Sequence, residues 1–170
     1  MALRPLGLTA LACAISATAL VATACDPSQV GAVEKVTIGG TEFTLKTALD
    51  DASRAKGLGS VSELPENGGM IFVFPDSEPR GFWMKDCLMD IDIAYISPLG
   101  IVTAVHTMAK QPLKGENESL SAYHQRLKTY PSGSPAQIAI ELRPGTFDKL
   151  GIKRGSKITL DLPRLKAAAK

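Results

Sequence analysis

Residues 136–142 read Ala-Gln-Ile-Ala-Ile-Glu-Leu, and this stretch carries the clearest signal for the fold class of the chain. Large apolar residues occupy every second position, and Gln, Ala and Glu fill the positions between them. Because successive side chains of a β-strand point to opposite faces, this alternation predicts a strand with one buried face. Residues 156–162 repeat the pattern, with Ile158 and Leu160 on the apolar side. The chain is therefore expected to consist mainly of β-strands.

Other β-favouring segments lie nearer the N-terminus. Residues 33–38 and 41–45 flank Gly39-Gly40, a pattern typical of a β-hairpin. The remaining candidate strands in this part of the chain cover residues 70–74, 81–85, 87–97 and 101–108. About eight short strands with one or two short helices predict a compact antiparallel β-sandwich or barrel.

The composition limits the classes of function that the chain can perform. Its 170 residues are enough for one domain of ordinary size. The 19 Lys and Arg residues nearly balance the 17 Asp and Glu residues, so no basic surface for nucleic acid is expected. The 3 Cys and 2 His residues are too few for a disulfide scaffold or a Cys/His zinc site. We therefore expect one domain with no nucleic-acid partner and no cofactor.

The N-terminus has the features of an export signal. Residues 1–24 carry one charge, at Arg4, followed by an apolar stretch that ends in small residues. The sequence Val21-Ala-Thr-Ala-Cys25 resembles a bacterial lipobox, in which the peptidase cleaves before the Cys and a diacylglycerol is attached to it. The same small residues also suit the ordinary signal peptidase, so plain secretion and a retained anchor are the alternatives. The expected location is the bacterial cell envelope, facing the periplasm.

These features divide the chain into four parts. Residues 1–24 are the predicted signal peptide, residues 25–33 a tether anchored to the membrane by lipid on Cys25, residues 34–162 a single β domain and residues 163–170 a short basic tail. Within the domain, residues 109–135 form a long polar stretch that is interpreted as a loop, with or without a helical turn near Tyr123, and loops of this length are usually functional or mobile.

Three carboxylates fall close together in residues 84–95. Asp86, Asp90 and Asp92 would share one face of a regular strand, and Cys87 would lie among apolar residues on the other. The acidic face can be a solvated surface, a binding or catalytic cluster, or a site for a hard cation, for which Asp90 and Asp92 are weak candidates. Cys87 is expected to be a buried thiol.

Several segments in this order resemble the domain-of-unknown-function 192 family, DUF192, over about residues 34–162. The segments are Gly69-Met-Ile-Phe-Val-Phe74, Phe82-Trp-Met-Lys85, Asp92-Ile-Ala-Tyr-Ile96, residues 130–136, Ile140-Glu-Leu142 and Leu150-Gly-Ile-Lys-Arg-Gly155. The resemblance implies a small, mostly β domain that is often exported and whose function is not established. Because Trp83, Lys85 and Asp92 match the family pattern, they are the candidate ligand-binding residues. Asp86, Cys87 and Asp90 depart from it.

Three functions are compatible with these observations. The first is a membrane-tethered, periplasm-facing domain that binds a small ligand or serves as an accessory, with its site near Trp83, Lys85 and Asp92. The second is a hydrolase that acts on an envelope polymer or small metabolite by carboxylate acid–base chemistry. The third is a structural envelope protein that contacts a partner protein through residues 109–135. No catalytic residue is assigned from the sequence.

Overall fold

The computed structural model describes residues 33–170, and eight strands and four short helices account for its regular structure. The strands are β1 (Val33–Ile38), β2 (Thr41–Ala48), β3 (Gly68–Glu78), β4 (Gly81–Trp83), β5 (Ile91–Ile96), β6 (Val102–Met108), β7 (Thr129–Pro131) and β8 (Ala136–Leu142). The helices are α1 (Asp51–Lys56), α2 (Leu120–Arg126), α3 (Thr146–Lys149) and α4 (Leu162–Ala168). The predicted signal peptide and Cys25 lie outside the described residues.

Six of the strands form one open sheet in the order β1-β2-β3-β8-β5-β6, and β4 pairs with β7 in a second, two-stranded sheet. The mostly β class and the expected strand number are thus confirmed. The large sheet does not close into a barrel, since β1 and β6 are its two edges. The structure also contains four helices where one or two were expected, and α2 and β7 lie in the segment that was read as a loop.

The predicted hairpin is present, but the next pairing is not antiparallel. β1 and β2 pair from Val33 with Lys46 to Ile38 with Thr41, and Gly39 and Gly40 form the turn with φ of 57° and 82°. Positive φ at both turn residues is the geometry that glycine permits and that a two-residue hairpin needs. β2 then pairs with β3 in parallel. The chain passes through α1 between these two strands, which gives it the crossover that a parallel pair requires.

β8 lies inside the sheet, where both of its faces are covered. It pairs antiparallel with β3 on one side and with β5 on the other, and all seven of its residues are buried. The alternation of this segment predicted a solvent-facing side, and that prediction was wrong for Gln137 and Glu141. Alternate residues of β8 instead point into two different buried layers, because apolar side chains pack against both faces of the sheet.

The two layers contain different parts of the chain. The first packs Phe147 of α3, Leu165 of α4 and Ile158 against the sheet. The second packs Leu58 and Met84, from segments outside the large sheet, against it. A sheet covered on both faces by apolar side chains gives the domain two hydrophobic cores in place of the one expected for a two-layer domain.

The C-terminal segment covers the first layer without adding a strand. Residues 156–162 were predicted to form a strand, but they make only one isolated bridge, between Ile101 and Lys157. Asp161 caps α4 by accepting a hydrogen bond from the backbone N–H of Arg164. Leu165 is fully buried, so the residues that were expected to form a basic tail include a packed helix.

Gly69 allows β3 to approach β8 closely. A Cβ at Gly69 would overlap the backbone carbonyl oxygen of Glu141 and lie 2.7 Å from Cδ2 of Leu142. We expect Gly69→Ala to lower the free energy of unfolding by about 1–3 kcal/mol or more, as overpacked core substitutions do. Gly115→Ala is the control, because its Cβ would meet only Glu118 at 3.6 Å. Urea unfolding of the two variants tests this, and equal stability would contradict the close approach.

Candidate functional site

A cavity of about 490 Å³ opens between α1, the turn that follows it, and strands β3, β4 and β8. Phe72, Phe74, Phe82 and Trp83 line it with aromatic rings. Phe82 contacts Phe72 edge to face, with ring centroids 4.9 Å apart, and reaches Phe74 at 6.4 Å. Edge-to-face contacts of this kind fix the relative orientation of neighbouring rings. One wall of the cavity is therefore a set of interlocked aromatic side chains.

β4 and its partner β7 hold the outer part of this wall. Phe82 pairs with Tyr130 in the two-stranded sheet and packs edge to face on Tyr95 at 5.6 Å. Trp83, the next residue, is 42% exposed and lies 4.9 Å from the ring of His124 in α2. The exposed indole thus belongs both to the cavity wall and to the protein surface.

Basic side chains surround the opening of the cavity. Arg54 donates hydrogen bonds to the Val73 carbonyl at 2.8 Å and to Asp51 at 2.6 Å. Its guanidinium lies 5.3 Å from the ring centre of Phe74, and that of Arg80 lies 4.1 Å from the same ring. Lys56 and Lys85 also line the cavity. Three of these four cations form ion pairs, Arg54 with Asp51, Arg80 with Asp76 and Lys85 with Asp86, so the excess positive charge at the opening is that of one side chain.

Glu141 is the one carboxyl group at the buried end of the cavity. It lies on β8 among the lining residues and is only 4% exposed. Its Oε2 atom is buried and has no hydrogen-bond partner among residues 33–170. Burial raises the pKa of Glu141 from its usual value near 4.5 to about 8. The carboxyl is therefore mainly protonated at neutral pH.

Cys87 lines the cavity beside Glu141 and is buried, as the sequence predicted. Burial, with smaller contributions from the charges of Glu141 and Asp86, raises the pKa of its thiol to about 12. The Sγ atom donates a weak hydrogen bond to the Lys85 carbonyl at 3.5 Å. Because the thiolate is the nucleophilic form of cysteine, a thiol held protonated in this way is inert.

The three aspartates expected on one face of a strand are not on one face. β5 begins only at Ile91, and Asp86 lies before it in a turn, with φ of 56°. Asp86 accepts a hydrogen bond from the Tyr123 hydroxyl, and Asp90 accepts one from the Lys110 backbone N–H at 2.7 Å. The left-handed backbone at Asp86 interrupts the strand. The prediction that the three aspartates share one face required an uninterrupted strand, and it was therefore wrong.

Asp92 lies on β5, but on the opposite face of the sheet from the cavity. It is 1% exposed, and its carboxylate accepts hydrogen bonds from the Thr107 hydroxyl at 2.7 Å and from the Phe147 backbone N–H at 3.2 Å. These bonds join β5 to β6 and to α3. Of the three candidate residues, the structure brings Trp83 and Lys85 together at the cavity and separates Asp92 from them.

The structure also describes the part of the chain, residues 33–170, in which a cation site and a long loop were considered from the sequence. Residues 33–170 contain no group of three or more His, Cys, Asp or Glu side chains arranged to hold a metal ion. No helix there is long and apolar enough to cross a bilayer. The polar segment 109–135 is tied down by an ion pair of 2.6 Å between Glu118 and Arg126, which lowers the pKa of Glu118 to about 2.

Sequence reasoning missed three residues that define this cavity. Neither Arg54 nor Arg80 was proposed as a site residue, and Glu141 was assigned to the polar side of a strand. The sequence around Glu141 held no signal for its burial, because alternation is the same whether the polar face of a strand meets solvent or a second layer. The positions of the two arginines depend on how α1 and β4 pack, which local sequence does not encode.

The fold is that of a small mixed-sheet domain, and it contains an aromatic cavity with basic side chains at its opening. The chain belongs to the family DUF192, described as "Uncharacterized ACR", whose model matches residues 34–160. No curated protein matches the chain significantly.

Two crystal structures share this fold. One, from Sinorhizobium meliloti 1021, is of a protein described as a candidate transcription regulator, and the other is of a protein of unknown function from Novosphingobium aromaticivorans DSM 12444. Each is 25% identical in sequence, with a TM-score of 0.58 and coverage of 75% of this chain. The matches cover 90% and 85% of the two chains respectively.

The buried carboxyl of Glu141 gives a pH-dependent prediction. As the pH rises from near 4.5 towards 8, the unfolded chain loses this proton before the folded protein does. The free energy of unfolding should therefore fall through that window, by at most about 1.4 kcal/mol per pH unit. Glu141→Gln removes the titration, so its stability advantage over the wild type should grow between about pH 5 and pH 8.

Urea unfolding at several pH values measures this difference. Glu63→Gln is the matched control, since Glu63 is exposed and its substitution should leave the pH profile unchanged. A difference between wild type and Glu141→Gln that stays constant with pH would mean that Glu141 is already ionised in the folded protein.

Proposed function

We propose that this domain binds a small molecule in the cavity between α1, β3 and β4. The observation that carries the proposal is the combination, in one cavity of about 490 Å³, of aromatic walls, a basic opening and a buried carboxyl without a partner. Small-molecule sites are typically concave and mainly apolar, with few polar groups and volumes of roughly 300–1,000 Å³. This cavity matches in its volume and its aromatic wall, and it differs in the larger number of charged side chains in its lining.

The lining indicates the chemistry of the ligand. Planar apolar rings stack well against aromatic walls, so the ligand is expected to carry a flat apolar body that lies against the aromatic wall of the cavity. Arg80, Lys56 and Lys85 surround the opening and favour a negatively charged substituent there. The proposed ligand is therefore a small aromatic anion.

A hydrolase is the second candidate, and one observation favours it. Glu141 is a carboxyl with a raised pKa in a cavity, which is the property required of a general acid. Acid–base hydrolysis by two carboxylates needs a second one nearby. The other acid of the cavity, Asp51, is exposed and pairs with Arg54. Binding without turnover therefore fits the cavity better.

We also propose that the domain is exported and tethered to a membrane by lipid on Cys25. The support is the signal-like N-terminal sequence and the small residues before this cysteine. The described residues that line the cavity lie between Asp51 and Glu141, in the β domain that follows the proposed tether. The ligand would then reach the cavity from the periplasm.

Dye binding to the full chain tests the proposed cavity. The anionic aromatic dye 8-anilinonaphthalene-1-sulfonate should bind at one saturable site, and more tightly than the uncharged N-phenyl-1-naphthylamine. The advantage of the anion should shrink at high salt, because salt screens the exposed lysines. Ala55→Trp should fill the cavity and weaken binding by about tenfold or more, or about 1.4 kcal/mol.

Ala167→Trp is the matched control for this experiment. Ala55 and Ala167 are both exposed alanines on short helices, but only Ala55 lines the cavity. The control should bind the dye as the wild type does. Unchanged dye affinity in Ala55→Trp would place the dye elsewhere and contradict the proposal. Turnover of an envelope polymer that disappears in Glu141→Gln would favour the hydrolase.

Membrane fractionation tests the tether. We expect the wild type to pellet with membranes and to incorporate labelled palmitate. Cys25→Ala should lose both properties, because the acyl chains on Cys25 supply the membrane affinity. Cys87→Ala is the control, since the other cysteine outside the signal peptide is buried and should not matter. Membrane association that survives Cys25→Ala would contradict the lipoprotein assignment.

A further inference from the structure

The chemical state of Glu141 limits which ligands the cavity can take. A carboxylate buried without a partner is strongly disfavoured, so such a group is found paired with a cation, bonded to donors, or protonated. Its Oε2 atom has no partner among the described residues, and the arginines nearest the cavity are otherwise engaged. Arg54 donates to Val73, Asp51 and Lys170, while Arg80 bonds to Asp76 and to the Ala136 carbonyl.

The other titratable groups near Glu141 do not stabilise its charge. Cys87, from the turn after β4, and Tyr95, from β5, are neutral, and burial raises the pKa of both. The Tyr95 hydroxyl donates its hydrogen bond to the Tyr130 carbonyl at 2.6 Å. The other charged residues of the lining come from α1 and from the segments on either side of β4. They are Asp51, Arg54, Lys56, Arg80 and Lys85. Burial is the one cause that shifts the pKa of Glu141.

We propose, on the basis of the ligand-binding role argued above, that Glu141 acts as a neutral carboxylic acid and pairs with the amide or lactam edge of a planar aromatic ligand. A protonated carboxyl presents one donor and one acceptor side by side. An amide or lactam presents the complementary pair, so two hydrogen bonds form and no buried polar atom of either partner is left unsatisfied. A cationic ligand is disfavoured because it must pass the basic opening of the cavity.

The position of Glu141 suits an anchoring role. It lies on the central strand of the sheet, whose backbone is bonded on both sides, so its Cα is held rigidly. Phe72 on β3 pairs with Ala139, two residues before Glu141 on β8, and lines the same cavity. A ligand ring against Phe72 can therefore present its polar edge to Glu141, while a charged substituent points to Lys85 and Arg80. Anchors on rigid strands lose little freedom when a ligand binds.

Three bicyclic probes of similar size test this proposal on the full chain. Isoquinolinone carries a lactam edge, the naphthylmethylammonium ion carries a cation, and naphthalene carries no polar group. Titration calorimetry should give the tightest binding for isoquinolinone. Glu141→Gln should keep that affinity within about threefold, because an amide also donates and accepts. Glu141→Leu should lose about tenfold or more through the missing hydrogen bonds.

The pH dependence separates the protonated from the ionised anchor. Isoquinolinone binding to the wild type should be constant below neutral pH and should weaken as the pH rises past about 8, where Glu141 loses its proton. The same titration in Glu141→Gln should be flat. Gln137→Leu is the matched control, since Gln137 is buried on the same face of β8 but does not line the cavity. Its affinities should equal those of the wild type.

Two results would overturn the inference in different ways. If the ammonium probe binds most tightly and its affinity rises with pH, Glu141 is an ionised counter-ion. If all three probes bind equally to the wild type and to Glu141→Leu but fail to bind Ala55→Trp, the cavity binds ligands and Glu141 is not their anchor. Failure of the wild type to bind any probe or the sulfonate dye would instead overturn the proposed function itself.

Discussion

The double pairing of β8, to β3 on one side and to β5 on the other, is the constraint on which the rest of the structure depends. It places a seven-residue strand where neither face reaches water. Each face then needs an apolar cover, and the chain supplies α3 and α4 on one side and the segments around α1 and β4 on the other. The cavity is the part of the second cover in which aromatic and basic side chains do not fill the space completely.

Much of the fold follows from local signals in the sequence. The glycine pair between β1 and β2 and the apolar run of β3 each specify their structure within a few residues, and these elements were predicted correctly. The error in β8 has a physical cause. Alternation reports two different faces, and it cannot tell whether the more polar face meets water or a second layer of the protein.

The candidate site was harder to predict because its parts are distant in sequence. Trp83 and Lys85 were identified because they lie together in one segment that the family pattern contains. Arg54 and Glu141 reach the same cavity from segments almost ninety positions apart, and only the packing of α1 against the sheet joins them. Asp92 does not line the cavity, because successive side chains of β5 alternate between the two faces of the sheet and that of Asp92 lies on the opposite face.

Asp92 and Glu141 illustrate how the two faces of the sheet differ. They lie on neighbouring strands at adjacent register positions, since Asp92 pairs with Leu142 and Ile93 pairs with Glu141. Both are almost fully buried, yet the Asp92 carboxylate accepts two hydrogen bonds, whereas Oε2 of Glu141 has no partner in the described chain. The satisfied carboxylate links β5, β6 and α3, which is a structural task. The unsatisfied one makes the protein less stable than a well-paired residue would, and this cost is the reason we propose that its partner binds from outside the chain.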